Sequence, residues 1–154
     1  MERMEIAKKF YAQAQKMTMG MAALVVAYGS MGYYLIQTGR ASSSILNAQV
    51  YPFVKFGTLL LSITGIFTMW RLGDRMISSF SVAVPPRERP PQRLFLRTAL
   101  MNGGAQLSLL LGLLLIFFGR RPFDFIPFAV ISLVGFAVAF PKKRQWKSWL
   151  GMDF

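Results

Sequence analysis

The sequence predicts an all-α integral membrane protein with four transmembrane helices, arranged as two antiparallel hairpins. The first observation is composition: 54% of the 154 residues are hydrophobic, yet the formal net charge is +12. A soluble domain rarely combines these properties, whereas a membrane protein with basic loops does. The second observation is a pair of apolar runs separated only by residues 119–122. Both runs must be helical, because lipid offers no partner to an unpaired strand edge.

These two runs define a hairpin over residues 94–140. The first run extends from Leu94 to Phe118 and includes QLSLLLGLLLIFF, and the second extends from Phe123 to Phe140. A helix crosses the hydrocarbon layer of about 30 Å with roughly 20 residues, which the first run supplies. The short break makes the two helices antiparallel neighbours.

Residues 17–70 predict the other hairpin. Its spans extend from Met17 to Thr38 and from Tyr51 to Trp70, joined by a polar connection. Pro52 is compatible with a helix start, because the first turn has no backbone hydrogen bond to lose.

Residues 71–93 predict a basic, proline-rich cytoplasmic connection between the hairpins. Its core, PPRERPP over Pro85 to Pro91, is expected to form extended polyproline and to act as a stiff spacer.

Both ends of the chain predict short interfacial helices. In residues 1–16, Ile6, Phe10 and Ala14 share one helical face and the other faces are basic, which favours a helix in the headgroup layer over a solvated tail. Residues 141–154, PKKRQWKSWLGMDF, alternate cations with aromatic rings and directly follow a span, so their polyanion is expected to be anionic lipid and not nucleic acid. The predicted headgroup contacts are Lys8, Lys9, Lys142, Lys143, Arg144, Trp146, Lys147 and Trp149.

Charge distribution predicts the orientation. The two ends and the proline-rich connection with its flanks hold 14 of the 18 Lys and Arg residues, whereas the opposite loops hold three, with Lys55 completing the total. The positive-inside rule therefore places both termini in the cytoplasm. The expected location is a bacterial inner membrane, with an organellar inner membrane as the alternative.

Small residues recur at helical spacing within the spans. Such stripes let helices approach closely, which drives their association in lipid, although small residues are also simply frequent in transmembrane helices. In the first span the stripe is expected to pack chiefly against the protein's own helices. The predicted helix-packing residues are Gly20, Ala23, Ala27, Ser30, Gly104, Ser108, Gly112, Ser132, Gly135 and Ala139.

Four polar or charged residues lie inside the predicted spans. Asn102 and Gln106 are one turn apart on one face, and they either bond to neighbouring helices or line a small cavity. Lys55 either extends its ammonium group to the headgroups or pairs with Asp124, which lies near the same membrane face.

The sequence offers little reactive chemistry. Cys and His are absent, which removes thiol nucleophiles, thiolate and imidazole metal ligands and the side chain best suited to proton relay. No phosphate-binding loop or metal-ligand spacing is present, and Asp74 and Asp124 are the only carboxylates near the membrane. We therefore expect no catalytic residue, cofactor or metal site.

Three functional classes remain. The leading hypothesis is a non-catalytic accessory or assembly subunit of a larger membrane complex, whose partners are larger integral membrane proteins and anionic lipids; a homo-oligomer stays open. The alternative is a small oligomeric transporter or channel with a polar cavity at Asn102 and Gln106. The third is an enzyme acting on lipids, with Asp74, Asp124 or loop arginines at the headgroup.

Overall fold

A computed structural model describes residues 2–38, 47–119 and 121–152, and the described chain is helical apart from short connections. Two 3-10 turns, Pro86–Glu88 and Pro122–Asp124, precede the third and fourth helices. No strand occurs in the described ranges. The α-helices are α1 (Glu2–Gln37), α2 (Tyr51–Ala83), α3 (Pro91–Gly119), α4 (Phe125–Ala139) and α5 (Lys143–Leu150).

Three of the helices, α1, α2 and α3, are long and apolar enough to cross a membrane. The fourth helix, α4, has 15 residues and is about 22 Å long, which is less than the hydrocarbon thickness of about 30 Å. Together with α5, from which it is bent by 42°, it makes one further candidate span. The predicted all-α membrane protein is confirmed at this level.

The central helix is α3, which packs against α1, α2 and α4. Contacts between α1 and α3 advance together along both helices, since Thr18 meets Asn102 and Gly32 meets Ile116. These two helices are therefore parallel. α1 also contacts α4, so the core lies between α3, α1 and α4.

The helices α2 and α4 are antiparallel to α3. Gly65 of α2 faces Leu107, whereas Gly73, two turns later, faces Arg97. The helix α4 turns back directly after the end of α3, and Phe128 near its start packs on Gly112. Helices that follow one another in the sequence thus alternate in direction, whereas α1 and α3, which pack directly on each other, are parallel.

The predicted interfacial helix over residues 1–16 is not a separate element. The helix α1 is continuous over 36 residues, so it is about 54 Å long and extends well beyond one membrane thickness. The reason is local, since neither proline nor glycine precedes Gly20 and nothing interrupts the backbone hydrogen bonds.

The long proline-rich connection is also shorter than predicted. Helix α2 continues to Ala83, because the first proline after Trp70 is Pro85 and the residue before it, Val84, takes the extended conformation that proline imposes. The predicted polyproline segment is wrong at Pro86–Glu88, which forms a 3-10 turn.

The C-terminal segment that was predicted to anchor the chain to lipid forms the helix α5, which packs on the rest of the protein. The apolar face of α5 packs on the first turns of α1 and on neighbouring parts of α2 and α3, a group that we term the end cluster. Gly151 ends α5 with φ 62°, and a Cβ there would lie 2.8 Å from Cβ of Pro86. The fully packed members of the end cluster are Ala7, Ala14, Leu94, Trp146, Trp149 and Leu150, and Phe10, Tyr11, Ile77, Phe80 and Phe95 lie against them.

Candidate functional site

A charged cluster joins the start of α2 to the turn before α4. The Lys55 ammonium group lies 2.6 Å from Oδ1 of Asp124, and the Tyr51 hydroxyl donates to the other carboxylate oxygen. The guanidinium group of Arg121 lies 5.1 Å from the centre of the Tyr51 ring. The structure therefore brings Lys55 and Asp124 together, which is one of the two alternatives that their positions in the sequence predicted.

The environment of Asp124, which ends the second 3-10 turn outside the helices, stabilises its charged form. Burial by itself would raise the pKa of this carboxyl group. Hydrogen bonds from Lys55 and Tyr51, with the positive charges of Lys55 and Arg121, outweigh that effect and hold the pKa below the usual 3.8. The carboxylate is thus an ionised anchor for α2 and is poorly suited to carry protons near neutral pH.

A second ion pair lies toward the opposite ends of α2 and α3. The guanidinium group of Arg97 contacts Oδ1 of Asp74 at 2.8 and 2.9 Å through two nitrogens. Gly73 makes this approach possible, because a Cβ there would lie 3.0 Å from Cγ of Arg97. Sequence reasoning named Asp74 and missed the pair, since α2 was expected to end at Trp70.

The two amides of α3 both bond to α1. The Asn102 side-chain amide donates to the Thr18 hydroxyl at 2.9 Å, and the Gln106 amide donates to the Met21 carbonyl oxygen at 3.2 Å. Asn102 and Thr18 are fully or almost fully buried. Neither amide lines the apolar groove between α2 and α4 or the one between α1 and α4. The geometry therefore matches interhelical bonding and not a polar cavity.

One buried acceptor in this contact has no partner among the described residues. The Asn102 carbonyl oxygen Oδ1 makes no hydrogen bond, while the Thr18 hydroxyl donates to the Ala14 carbonyl oxygen. An unpaired buried acceptor costs stability. This contact therefore fixes the position of α1 on α3 more than it stabilises the pair.

Six of the predicted helix-packing residues are buried between helices. The Ser132 hydroxyl donates to the Ala105 carbonyl oxygen at 2.8 Å, and the Ser108 hydroxyl donates to the Phe128 carbonyl oxygen at 3.3 Å, so α3 and α4 are close enough to bond across their interface. Gly112 faces the Phe128 ring. The six buried residues are Gly104, Ser108, Gly112, Ser132, Gly135 and Ala139.

The other four predicted packing residues have a different environment. Gly20, Ala23, Ala27 and Ser30 are all exposed, so the intramolecular packing expected of them is wrong. At about 100° per residue they occupy the side of α1 opposite its buried face, which includes Thr18, Val25 and Gly32. We term these four residues the outer stripe.

The predicted headgroup residues also divide into two groups. Trp146 and Trp149 are buried in the end cluster, so their predicted contact with lipid is wrong. The Trp146 ring packs edge-on against Tyr11, and Arg89 donates a hydrogen bond to the Trp149 carbonyl oxygen. Lys147 is half-buried. The exposed members are Lys8, Lys9, Lys142, Lys143 and Arg144.

The described residues bring no reactive constellation together. Across residues 2–38, 47–119 and 121–152, no three His, Cys, Asp or Glu side chains lie close enough to hold a metal ion. The two carboxylates that the sequence offered for headgroup chemistry, Asp74 and Asp124, each bind a cation of the same chain.

Comparisons with known proteins identify no similar protein. No protein-family model, curated protein or solved structure matches this chain. The contacts and exposed faces of the chain itself are therefore the guide to its function.

Proposed function

We propose that this protein is a non-catalytic accessory or assembly subunit of a larger complex in the membrane, and that the outer stripe of α1 binds a transmembrane helix of its partner. The observation that carries the proposal is the exposure of all four stripe residues on the side of α1 facing away from the bundle. In lipid, close contact between backbones at small residues drives helix association, because burying one apolar surface against another yields little.

The buried side of α1 provides an internal comparison. Gly32 lets Ile116 of α3 approach so closely that a Cβ would lie 2.7 Å from the Ile116 side chain, whereas Gly20 has nothing within 4 Å of its Cβ position. A glycine thus supports a tight interhelical contact on the buried side of α1, whereas the glycine on the exposed side contacts no other helix of the described chain. A partner helix on the outer stripe would make α1 the link between the bundle and the complex.

The proposed topology places α1, α2, α3 and α4 across the membrane in alternating directions, with both termini and the end cluster on the cytoplasmic side. It is supported by the antiparallel packing of α3 with α2 and α4 and by the excess of Lys and Arg on the proposed cytoplasmic side. A bacterial inner membrane suits this charge bias.

The orientation is tested with a single cysteine, because the chain has none of its own. In spheroplasts, Ser44→Cys is expected to react with a membrane-impermeant maleimide added outside, whereas Ser79→Cys is expected to react only after the membrane is permeabilised. The reverse pattern would contradict the proposed orientation.

The partner proposal is tested by substitution within the outer stripe. We expect Ala27→Leu to remove a stoichiometric partner that copurifies with the wild-type protein from its native membrane in mild detergent. The thermal midpoint of the isolated chain should stay nearly unchanged, because exposed substitutions usually alter stability by less than about 0.5 kcal/mol.

The matched control is Val26→Leu, at a position that is 72% exposed and lies beside the stripe. It should retain the partner. A wild-type protein that purifies alone and monodisperse would contradict the proposal, and so would equal loss of the partner in both variants. If the partner that Ala27→Leu removes were a second copy of this chain, the complex would be a homo-oligomer.

A further inference from the structure

An apolar groove runs between the outward faces of α2 and α4, at a distance from the outer stripe. Its volume is about 380 Å³, and its lining residues carry no charged or hydroxyl side chain. The two helices touch at its base, where Ile66 lies 3.3 Å from the Cβ position of Gly135. The walls include Ile63, Phe67, Trp70, Val130, Val134 and Val138, which are about half exposed.

The shape of the groove favours a flexible chain over a helix. A partner helix needs small residues for close backbone contact, as on the outer stripe. Here the walls are branched and aromatic side chains, and the single glycine, Gly135, is buried at the base. A hydrocarbon chain can bend to fill such a slot. The volume lies within the range of roughly 300–1,000 Å³ in which proteins bind small ligands.

A cation lies at one end of the groove. The guanidinium group of Arg71 is 4.9 Å from the centre of the Phe67 ring, and that ring packs edge-on against Trp70 at 6.0 Å. Arg71 is exposed and belongs to neither ion pair of the described residues. On the α4 side, exposed Lys142 and Lys143 follow shortly after α4 ends at Ala139. The slot is therefore apolar along its length and positive at its end.

We propose that this groove binds one anionic phospholipid, with an acyl chain between α2 and α4 and the phosphate beside Arg71. Basic pockets between transmembrane helices on the cytoplasmic side are suited to anionic headgroups. The inference is independent of the partner proposed for the outer stripe, because groove and stripe lie on different helix faces and the lipid binds the chain alone.

The test measures lipid binding to the purified, delipidated chain in neutral detergent by native mass spectrometry. Dioleoyl phosphatidylglycerol and dioleoyl phosphatidylcholine have identical acyl chains and differ in headgroup charge. We expect phosphatidylglycerol to bind at least about fivefold more tightly than phosphatidylcholine, since one surface cation increases the affinity for an anionic lipid by about that factor. Arg71→Gln should therefore remove most of the difference. Val134→Phe should weaken both lipids, because it fills the groove.

Two matched variants complete the experiment. Arg87→Gln removes an equal charge from the exposed first 3-10 turn, and Val26→Phe adds an equal ring to an exposed position of α1; both should bind lipid as the wild type does. Equal effects of Arg71→Gln and Arg87→Gln would overturn the proposal in favour of diffuse charge attraction. Unchanged binding by Val134→Phe would exclude the groove. If a partner helix cross-linked at position 134 and no lipid bound, the occupant of the groove would be a protein and the lipid proposal would be wrong.

Discussion

Gly112→Leu is expected to separate α4 from α3 and to destabilise the protein more than any other single substitution that we propose. A Cβ at this position would lie 2.7 Å from Cβ of Phe128 and 3.1 Å from the Phe125 ring. Both rings are buried. Inserting extra methylene groups into a packed core costs typically 1–3 kcal/mol, and we expect about 3 kcal/mol because the nearest atom, Cβ of Phe128, is attached directly to the α4 backbone.

The matched control for this variant is Gly103→Leu in the same helix. Gly103 is exposed and has nothing within 4 Å of its Cβ position, so leucine there should leave the thermal midpoint nearly unchanged. Thermal unfolding of both variants in one detergent, followed by tryptophan fluorescence, gives the comparison. If the two midpoints fell equally, the loss would not come from the contact of Gly112 with Phe125 and Phe128, and the proposed explanation would be wrong.

The second large effect is expected at the charged cluster. Asp124→Asn removes the charge that holds Lys55 and leaves the ammonium group beside a neutral amide. Losing one member of a fully buried pair costs about 3–5 kcal/mol, but the Lys55 side chain is 32% exposed, so we expect about 2 kcal/mol. A double-mutant cycle with Lys55→Met should give a coupling energy of about 1 kcal/mol or more. Strict additivity of the two substitutions would show that the pair contributes nothing.

The same cluster predicts a pH dependence. Because the pKa of Asp124 is lower in the folded protein than its usual 3.8, the pair stabilises the fold at neutral pH. That contribution should disappear as the pH falls below 3.8 toward the folded-state pKa. The wild type should therefore lose more stability than Asp124→Asn between about pH 5 and pH 3, in a detergent without ionisable groups. Parallel losses in both proteins would contradict this assignment.

The sequence predicts correctly those features that follow from short connections along the chain or from its apolar character. The hydrophobic runs predicted helices, and three of these are long and apolar enough to cross a membrane. Pairing of Lys55 with Asp124 was one of two alternatives, because both residues were expected near span ends on the same side. The Asp74–Arg97 pair was within reach of the same reasoning. It needed only a longer α2, and the absence of proline between Trp70 and Pro85 was the available signal.

The faces of α1 were not predictable in this way. Amphipathic patterning distinguishes the inside of a soluble protein from its outside, but in lipid both sides of a helix are apolar. The set containing Ala14 and Gly32 and the outer stripe are both rows of small residues, and only the packing of α1 on α3 decides which row is buried. The same ambiguity affects Trp146 and Trp149, since alternating cations and rings suit either a headgroup layer or a docking surface on the protein.

The end cluster has a consequence for biogenesis. It joins the first turns of α1 to α5, and the Arg3 guanidinium group also donates to the Arg89 carbonyl oxygen. Because the ribosome synthesises α1 well before α5, the apolar face of α1 has no partner in this cluster until α5 is made. A polypeptide truncated before α5 would therefore leave the apolar face of α1 uncovered by α5, a difference that a protease can recognise.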